Sequence, residues 1–179
     1  MELVKYVLNE VEGFEDFKER LVFDWGRSAI KWHQWVKANP KNVAEILPKG
    51  YLGEFPGLLN FTLDYSELRK LGENLSANRE WYLQLSSING IYLILDKLTG
   101  EQYIGSVYGK KGIWQRWSEY SKTGHGGNTL LKELCLIDNQ YYKNFQFTIL
   151  QSLPSNLSDS LGFLYQSPLV SIIMYYLQK

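Results

Sequence analysis

Hydrophobic patterning predicts three β-strands in the second half of the chain. Residues 90–95 form an apolar run with β-branched and aromatic members, which is typical of a buried strand. Residues 101–107 follow a short segment that ends in Gly100, and this arrangement predicts a hairpin. Residues 145–150 alternate between apolar and polar side chains, which indicates a third strand. We therefore expect a small, mainly antiparallel sheet.

The register of the predicted hairpin decides which side chains share a face of the sheet, because side chains alternate along a strand. A hairpin closed between residues 96 and 101 places Tyr92 opposite Gly105. The same register places Ile94 opposite Tyr103, so that all four residues share one face. Gly105 then leaves open space beside the Tyr92 ring.

Helical spacing predicts a helix over residues 113–121, directly after the hairpin. Its two tryptophans, Trp114 and Trp117, are expected to point toward the core. Arg116 and Tyr120 are four residues apart, so they share another face of the same helix.

A second helix is predicted over residues 129–138, because Asn128 is a typical N-cap residue. Cys135 is expected to be a buried residue of this helix rather than a nucleophile, because a free cysteine packs as a small hydrophobe. Three leucines are expected to point inward: Leu130, Leu131 and Leu134.

The hydrophobic pattern of the first half of the chain predicts both strands and helices. Residues 21–25 and 58–63 predict strands, and residues 27–37 predict a helix. The turn-rich segment 38–57 is expected to be a loop.

Two more helices are expected before the hairpin. Asp64 and Glu67 resemble a capping box, which predicts a helix over residues 65–71. Residues 74–83 predict another helix, which carries Trp81 toward the core.

The predicted fold class is α/β in the α+β arrangement, with a three-stranded sheet flanked by helices. The predicted boundary separates an N-terminal mixed α/β region of unknown role, residues 1–83, from a C-terminal domain, residues 84–179. The sequence feature that marks this boundary is the pair of serines at residues 86–87.

Composition narrows the classes of function. The first 83 residues carry 11 Lys and Arg against 13 Asp and Glu, and the remainder carries 8 against 6. Neither part is strongly basic, so contact with nucleic acid requires a local positive patch. A single cysteine, a polar N-terminus and no long apolar run predict a cytoplasmic protein without a membrane partner.

Two tripeptides lie on the predicted hairpin, GIY at residues 90–92 and YIG at residues 103–105, and an arginine follows within IWQRW at residues 113–117. Together they resemble the GIY-YIG nuclease superfamily, and especially a bacterial subgroup, some of whose members resemble restriction enzymes. The resemblance covers residues 84–155. It implies a metal-dependent endonuclease that hydrolyses a DNA phosphodiester bond and uses no small-molecule cofactor. It does not determine the oligomeric state.

The resemblance implies a role for four residues. Tyr92 is the candidate for activating or positioning the nucleophilic water, and Tyr103 lines the same pocket. Arg116 matches the essential arginine of the family and would hold the scissile phosphate in charge-assisted hydrogen bonds. Tyr120 matches a position where the family carries Tyr or His. The alternative for Arg116 is an ordinary helix ion pair with Glu119, three residues later.

Four other residues are candidate substrate contacts. His125 lies in a glycine-rich segment and is either a phosphate contact or an exposed loop histidine. Lys110 and Lys111 are candidates for contact with the DNA backbone, although a charge run is commonly a solvated turn. Asn128 is the fourth candidate for DNA binding.

The implied cofactor is Mg²⁺ or Mn²⁺, which the family binds through a glutamate on a helix after the third strand. Hard cations prefer carboxylate oxygen. Asp159 is the last acidic residue of this chain, and residues 161–178 carry no charge, so the family glutamate is not matched. Glu133 and Asp159 are the candidate metal ligands.

Three interpretations of this departure stay open. The C-terminus is an out-of-frame or truncated end of a longer family member, another carboxylate binds the metal, or the module has lost catalysis and keeps DNA binding. A purely structural protein without DNA affinity is a further alternative.

Overall fold

The computed structural model describes residues 9, 11–26, 34–35 and 37–154. Most of the predicted helix over residues 27–37 lies outside the described residues, as does Asp159. The chain forms two compact units, Met1–Tyr51 and Leu52–Lys179.

The described part of the first unit contains a small antiparallel hairpin. Strand β1 (Leu21–Phe23) pairs with β2 (Val43–Ile46), after a 3-10 helix at Glu15–Phe17. The predicted strand over 21–25 is thus confirmed in its first three residues. The prediction of a loop over 38–57 was wrong for β2, whose backbone groups find partners in β1, earlier in the chain.

The second unit is built on a four-stranded antiparallel sheet. Its strands lie in the order β3 (Leu63–Asp64), β6 (Phe145–Pro154), β4 (Ile88–Asp96) and β5 (Gln102–Val107). The three predicted strands of the second half are present, but the prediction of a three-stranded sheet was wrong. The short strand β3 adds an edge, because Leu63 pairs with Phe147. Of the predicted strand over 58–63, residue 63 alone belongs to a strand. The segment before it is not extended because the chain turns at Gly57, whose carbonyl accepts a hydrogen bond from Asn60 N–H at 3.1 Å.

The predicted hairpin register is confirmed. Tyr92 lies opposite Gly105, and Ile94 lies opposite Tyr103. The main-chain N–H of Asp96 donates to the carbonyl of Glu101 at 2.9 Å, which closes the hairpin at the expected residues.

The described part of this unit also contains four helices: α1 (Tyr65–Glu73), α2 (Arg79–Ser86), α3 (Gly112–Thr123) and α4 (Thr129–Ile137). The predicted capping box at the start of α1 is present, with Glu67 Oε2 accepting from Asp64 N–H at 2.8 Å. The predicted helix over 74–83 begins later, at Arg79, and its Trp81 is buried as expected.

One face of the sheet packs against α1, α2 and α3. The predicted boundary at residue 84 therefore falls inside the second unit, because α1 and α2 contribute to the same core as the hairpin. The fully buried side chains of this core include Leu68, Leu71, Leu85, Ile113, Trp117, Phe145 and Phe147.

Helix α4 is less buried than its apolar pattern predicts. Leu131 is fully buried and Leu134 packs partly against the core, whereas Leu130 is 59% exposed. The expectation that Leu130 points inward was wrong, because neighbouring residues lie about 100° apart around a helix and only one of the pair faces the core. No described helix is long and apolar enough to cross a membrane.

The side chain of Asp96 is fully buried and stabilises the end of the hairpin through hydrogen bonds. Its Oδ1 accepts a hydrogen bond from Leu98 N–H at 2.9 Å, and its Oδ2 accepts one from the Tyr141 hydroxyl at 2.7 Å. Burial raises the pKa of Asp96, but these hydrogen bonds lower it more, so its pKa lies below the ordinary value. The same contact raises the pKa of Tyr141 to about 12.

We expect Tyr141→Phe to lower the free energy of unfolding by about 1–3 kcal/mol at neutral pH, because a hydrogen bond to a buried carboxylate is lost. A depressed carboxyl pKa stabilises the folded state above its ordinary value of about 3.9, and this contribution disappears as the pH falls through the folded-state pKa. Urea denaturation at pH 7 and pH 3 should therefore show a smaller difference between the two proteins in acid. Tyr142→Phe is the matched control, and a difference that widens in acid would contradict the assignment.

Candidate active site

The two motif strands bring Tyr92 and Gly105 into close contact. A Cβ atom placed on Gly105 would lie 2.3 Å from both Cζ and Oη of Tyr92. The Tyr92 ring therefore crosses over Gly105 and occupies the space that the missing side chain of this glycine leaves open. Tyr92 is 3% exposed, and its ring also meets Trp117 edge-on.

Helix α3 supplies the other side of the site. Ile113 and Trp117 are fully buried, and Trp114 is also in the core, as predicted. Arg116 and Tyr120 follow Ile113 by three and seven residues, so they lie on the adjoining face of the helix, which is turned toward Tyr92. The hydroxyl oxygens of Tyr92 and Tyr120 are 3.3 Å apart, and the Arg116 guanidinium lies 5.1 Å from the centre of the Tyr120 ring.

The local electrostatics keep the arginine charged and Tyr120 neutral. Burial lowers the pKa of Arg116, but the adjacent hydroxyls of Tyr92 and Tyr120 raise it more, so the net shift is upward. Burial and the neighbouring Tyr92 raise the pKa of Tyr120 well above its ordinary value, against the opposing effect of Arg116. At neutral pH the site thus combines a permanent cation with a neutral hydroxyl group.

These side chains open into a cleft of about 290 Å³. It lies between the β4–β5 hairpin, α3 and the start of α4. Five of the residues that the sequence singled out line it: Tyr92, Tyr103, Arg116, Tyr120 and Asn128. Ile94, Ile104, Gly105 and Ser106 complete the lining.

Tyr103 stands at the rim of the cleft, and its hydroxyl donates to Glu101 Oε2 at 2.8 Å. Burial and this hydrogen bond raise the pKa of Tyr103 well above its ordinary value. Glu101 is a residue of the site that was not predicted from the sequence. The signal was present, because residues two apart on a strand share a face.

Arg116 forms the ion pair that was considered as its alternative role. Its Nη1 lies 3.0 Å from Oε2 of Glu119, one turn later on α3. The pair is solvent-accessible, with 32% of the Arg116 side chain and 54% of the Glu119 side chain exposed. Arg116 therefore faces the cleft and is engaged by an internal carboxylate at the same time.

Three other candidates, Lys110, Lys111 and His125, do not line the cleft. Lys110 and Lys111 are exposed in the turn before α3, and neither is among the cleft-lining residues. His125 Nδ1 accepts a hydrogen bond from Gly127 N–H at 3.0 Å, which stabilises the loop between α3 and α4. Asn128 lines the cleft and also caps α4, because its Oδ1 accepts from Leu131 N–H at 3.2 Å. Cys135 is partly buried, and burial raises the pKa of its thiol, which opposes a nucleophilic role.

A divalent metal has no evident ligand set in the described part of the chain. The cleft lining supplies hydroxyl, amide and guanidinium groups but no carboxylate. Glu133 lines a neighbouring groove of about 580 Å³ together with Glu101. No group of three or more His, Cys, Asp or Glu among the described residues is placed to bind a metal ion. The described residues therefore do not fit the implied Mg²⁺ or Mn²⁺.

We expect Gly105→Ala to lower the free energy of unfolding by about 1–3 kcal/mol, because the new methyl group overlaps the Tyr92 ring. Ser106→Ala is the control, since Ser106 is exposed on the adjacent position of β5. Urea denaturation of both variants measures the effect. Equal stability of Gly105→Ala and wild type would show that the ring does not pack on residue 105.

The comparisons with known proteins add no relationship to this geometry. No family model, curated protein or solved structure matches the chain. A functional assignment therefore rests on the motif resemblance and on the arrangement of side chains in the cleft.

Proposed function

We propose that this chain is a DNA endonuclease of the GIY-YIG type that hydrolyses a phosphodiester bond in the cleft between the β4–β5 hairpin and α3. The observation that carries the proposal is the convergence of Tyr92, Tyr103, Arg116 and Tyr120 on one cleft. These residues come from three separate elements. A guanidinium beside neutral hydroxyl groups suits the binding of a phosphodiester, which offers anionic oxygens to several donors.

Arg116 is assigned to the scissile phosphate. Its planar guanidinium presents paired N–H groups that match two phosphate oxygens. The guanidinium is charged at any physiological pH, because the ordinary pKa of arginine lies far above neutrality and its surroundings raise the pKa of Arg116 further. In the reaction, Arg116 would neutralise the charge that develops on the phosphate oxygens.

Tyr92 is assigned to the nucleophilic water. Its hydroxyl lies 3.3 Å from that of Tyr120, and the two can share hydrogen bonds with a water molecule in the cleft. Because Tyr120 has a raised pKa, it acts as a neutral donor that orients Tyr92 or the substrate. Tyr103, whose hydroxyl is bonded to Glu101, shapes the rim of the cleft.

Dependence on Mg²⁺ or Mn²⁺ belongs to this proposal through the resemblance alone. Of the two candidate ligands, Glu133 is described, and it lines the groove that shares Tyr103, Ile104 and Asn128 with the cleft. Asp159 lies outside the described residues.

The second candidate function is a DNA-binding module without cleavage. It is favoured by the cleft lining, which among the described residues contains no carboxylate for a cation. In this candidate function the arginine and hydroxyl groups bind a phosphate, and no metal ion stabilises a leaving oxygen. The two candidates differ in cleavage and agree in salt-sensitive binding to DNA.

The first test is cleavage of a supercoiled plasmid with Mg²⁺ or Mn²⁺. We expect nicked or linear product, and we expect Tyr92→Phe and Arg116→Ala each to reduce the rate by roughly 10²–10³-fold, because each removes a group that contacts the reacting atoms. EDTA should abolish cleavage.

Two variants control for general effects of these changes. Tyr142→Phe removes a hydroxyl outside the cleft, and Arg79→Ala removes an exposed arginine of α2. Both should cleave at the wild-type rate. Cleavage that persists in Arg116→Ala would indicate a contaminating nuclease or a different site, and DNA binding without cleavage would favour the second candidate.

We expect the double variant Lys110→Ala/Lys111→Ala to bind a duplex oligonucleotide more weakly, with a salt dependence reduced by about one unit of log–log slope per lysine. The physical reason is the loss of two phosphate contacts in the turn before α3. Fluorescence anisotropy over a range of salt concentrations measures the slope. Lys122→Ala/Lys143→Ala removes the same charge elsewhere, and an equal effect of both pairs would argue against a specific role for the turn.

A further inference from the structure

The ion pair between Arg116 and Glu119 occupies the group that is assigned to the substrate. Arg116 Nη1 and Glu119 Oε2 are 3.0 Å apart, and both residues belong to α3. A carboxylate presents a pair of anionic oxygens to a guanidinium, as a phosphate does. The free protein thus carries an internal ligand on its phosphate-binding arginine.

We infer that Glu119 is an intramolecular competitor for Arg116, which a backbone phosphate must displace before it can be held in the cleft. This inference rests on the proposed function, because it takes phosphate as the ligand of Arg116. In this role Glu119 holds the Arg116 guanidinium in the free protein and selects among the anions that can bind it.

The exposure of the pair makes this exchange physically accessible. With 54% of its side chain exposed, Glu119 can turn into solvent without leaving a buried charge. Arg116 stays against the Tyr120 ring, at 5.1 Å from its centre, so its position does not depend on Glu119 alone. Release of the carboxylate therefore frees the guanidinium without removing its other support.

The competition also selects among ligands. The carboxylate of Glu119 repels any anion that approaches Arg116 from the solvent side. A phosphodiester that also receives hydrogen bonds from the cleft tyrosines gains contacts that Glu119 does not provide. Glu119 thereby disfavours loosely bound anions relative to a phosphate seated in the cleft.

The test is a titration of the whole 179-residue chain with inorganic phosphate, which does not require DNA cleavage. The readout is the NMR signal of the Arg116 Nε–H group, assigned by its absence in Arg116→Ala. Glu119→Gln keeps the shape of the side chain and removes its charge, so we expect it to bind phosphate about two- to fivefold more tightly than wild type, the range of an exposed ion pair.

Two controls separate the ion pair from a general change in charge. Glu73→Gln makes the same charge change at a carboxylate that is paired with Arg69, at 2.7 Å, and it should not alter phosphate affinity. In an Arg116→Ala background, measured through backbone amide shifts of α3, Glu119→Gln should have no further effect.

Each outcome decides the inference. Tighter phosphate binding by Glu119→Gln that disappears without Arg116 supports it. Equal binding by wild type and Glu119→Gln, an equal gain with Glu73→Gln, or no shift of the Arg116 signal in either protein would overturn it. The plasmid assay judges the proposed function separately, because a protein that binds phosphate through Arg116 without cutting DNA would fail that assay and still pass this one.

Discussion

The packing of the Tyr92 ring across Gly105 is the contact on which the candidate site depends. It requires the two strands to pair in one register, because a slip by one residue would move each side chain to the other face of the sheet. It also requires glycine, because a Cβ atom at residue 105 would lie 2.3 Å from the ring. With the ring held there, its hydroxyl reaches Tyr120 on α3.

A second close approach positions α3. Gly112, at the start of this helix, has a φ of +51°, and a Cβ there would lie 2.1 Å from the carbonyl oxygen of Ile88. The helix therefore begins against β4, and its buried residues Ile113 and Trp117 fix its rotation. Arg116 reaches the cleft because it lies three residues after Ile113, at the edge of this buried face.

Three carboxylates in and near the site each bind a side chain of the protein itself. Arg116 is engaged by Glu119, the Tyr103 hydroxyl by Glu101, and the buried Asp96 by Tyr141. The first two contacts are exposed to solvent, whereas the third is part of the folded core of the hairpin. The third contact stabilises the hairpin that carries Tyr103 and Glu101, whereas the Arg116–Glu119 pair lies on α3.

Local patterns determined much of what matters for the candidate site. The hairpin, its register, α3 with its buried tryptophans, and the Asn128 cap all follow from contacts between residues near in sequence, which apolar spacing and turn chemistry report directly. Tertiary structure decided the rest. The pairing of β3 with β6, the strand β2, the exposure of Leu130 and the place of α1 and α2 beside the sheet depend on partners far along the chain. The same is true of the distance between the Tyr92 and Tyr120 hydroxyls, because it is set by how a helix packs on a sheet rather than by the sequence of either element.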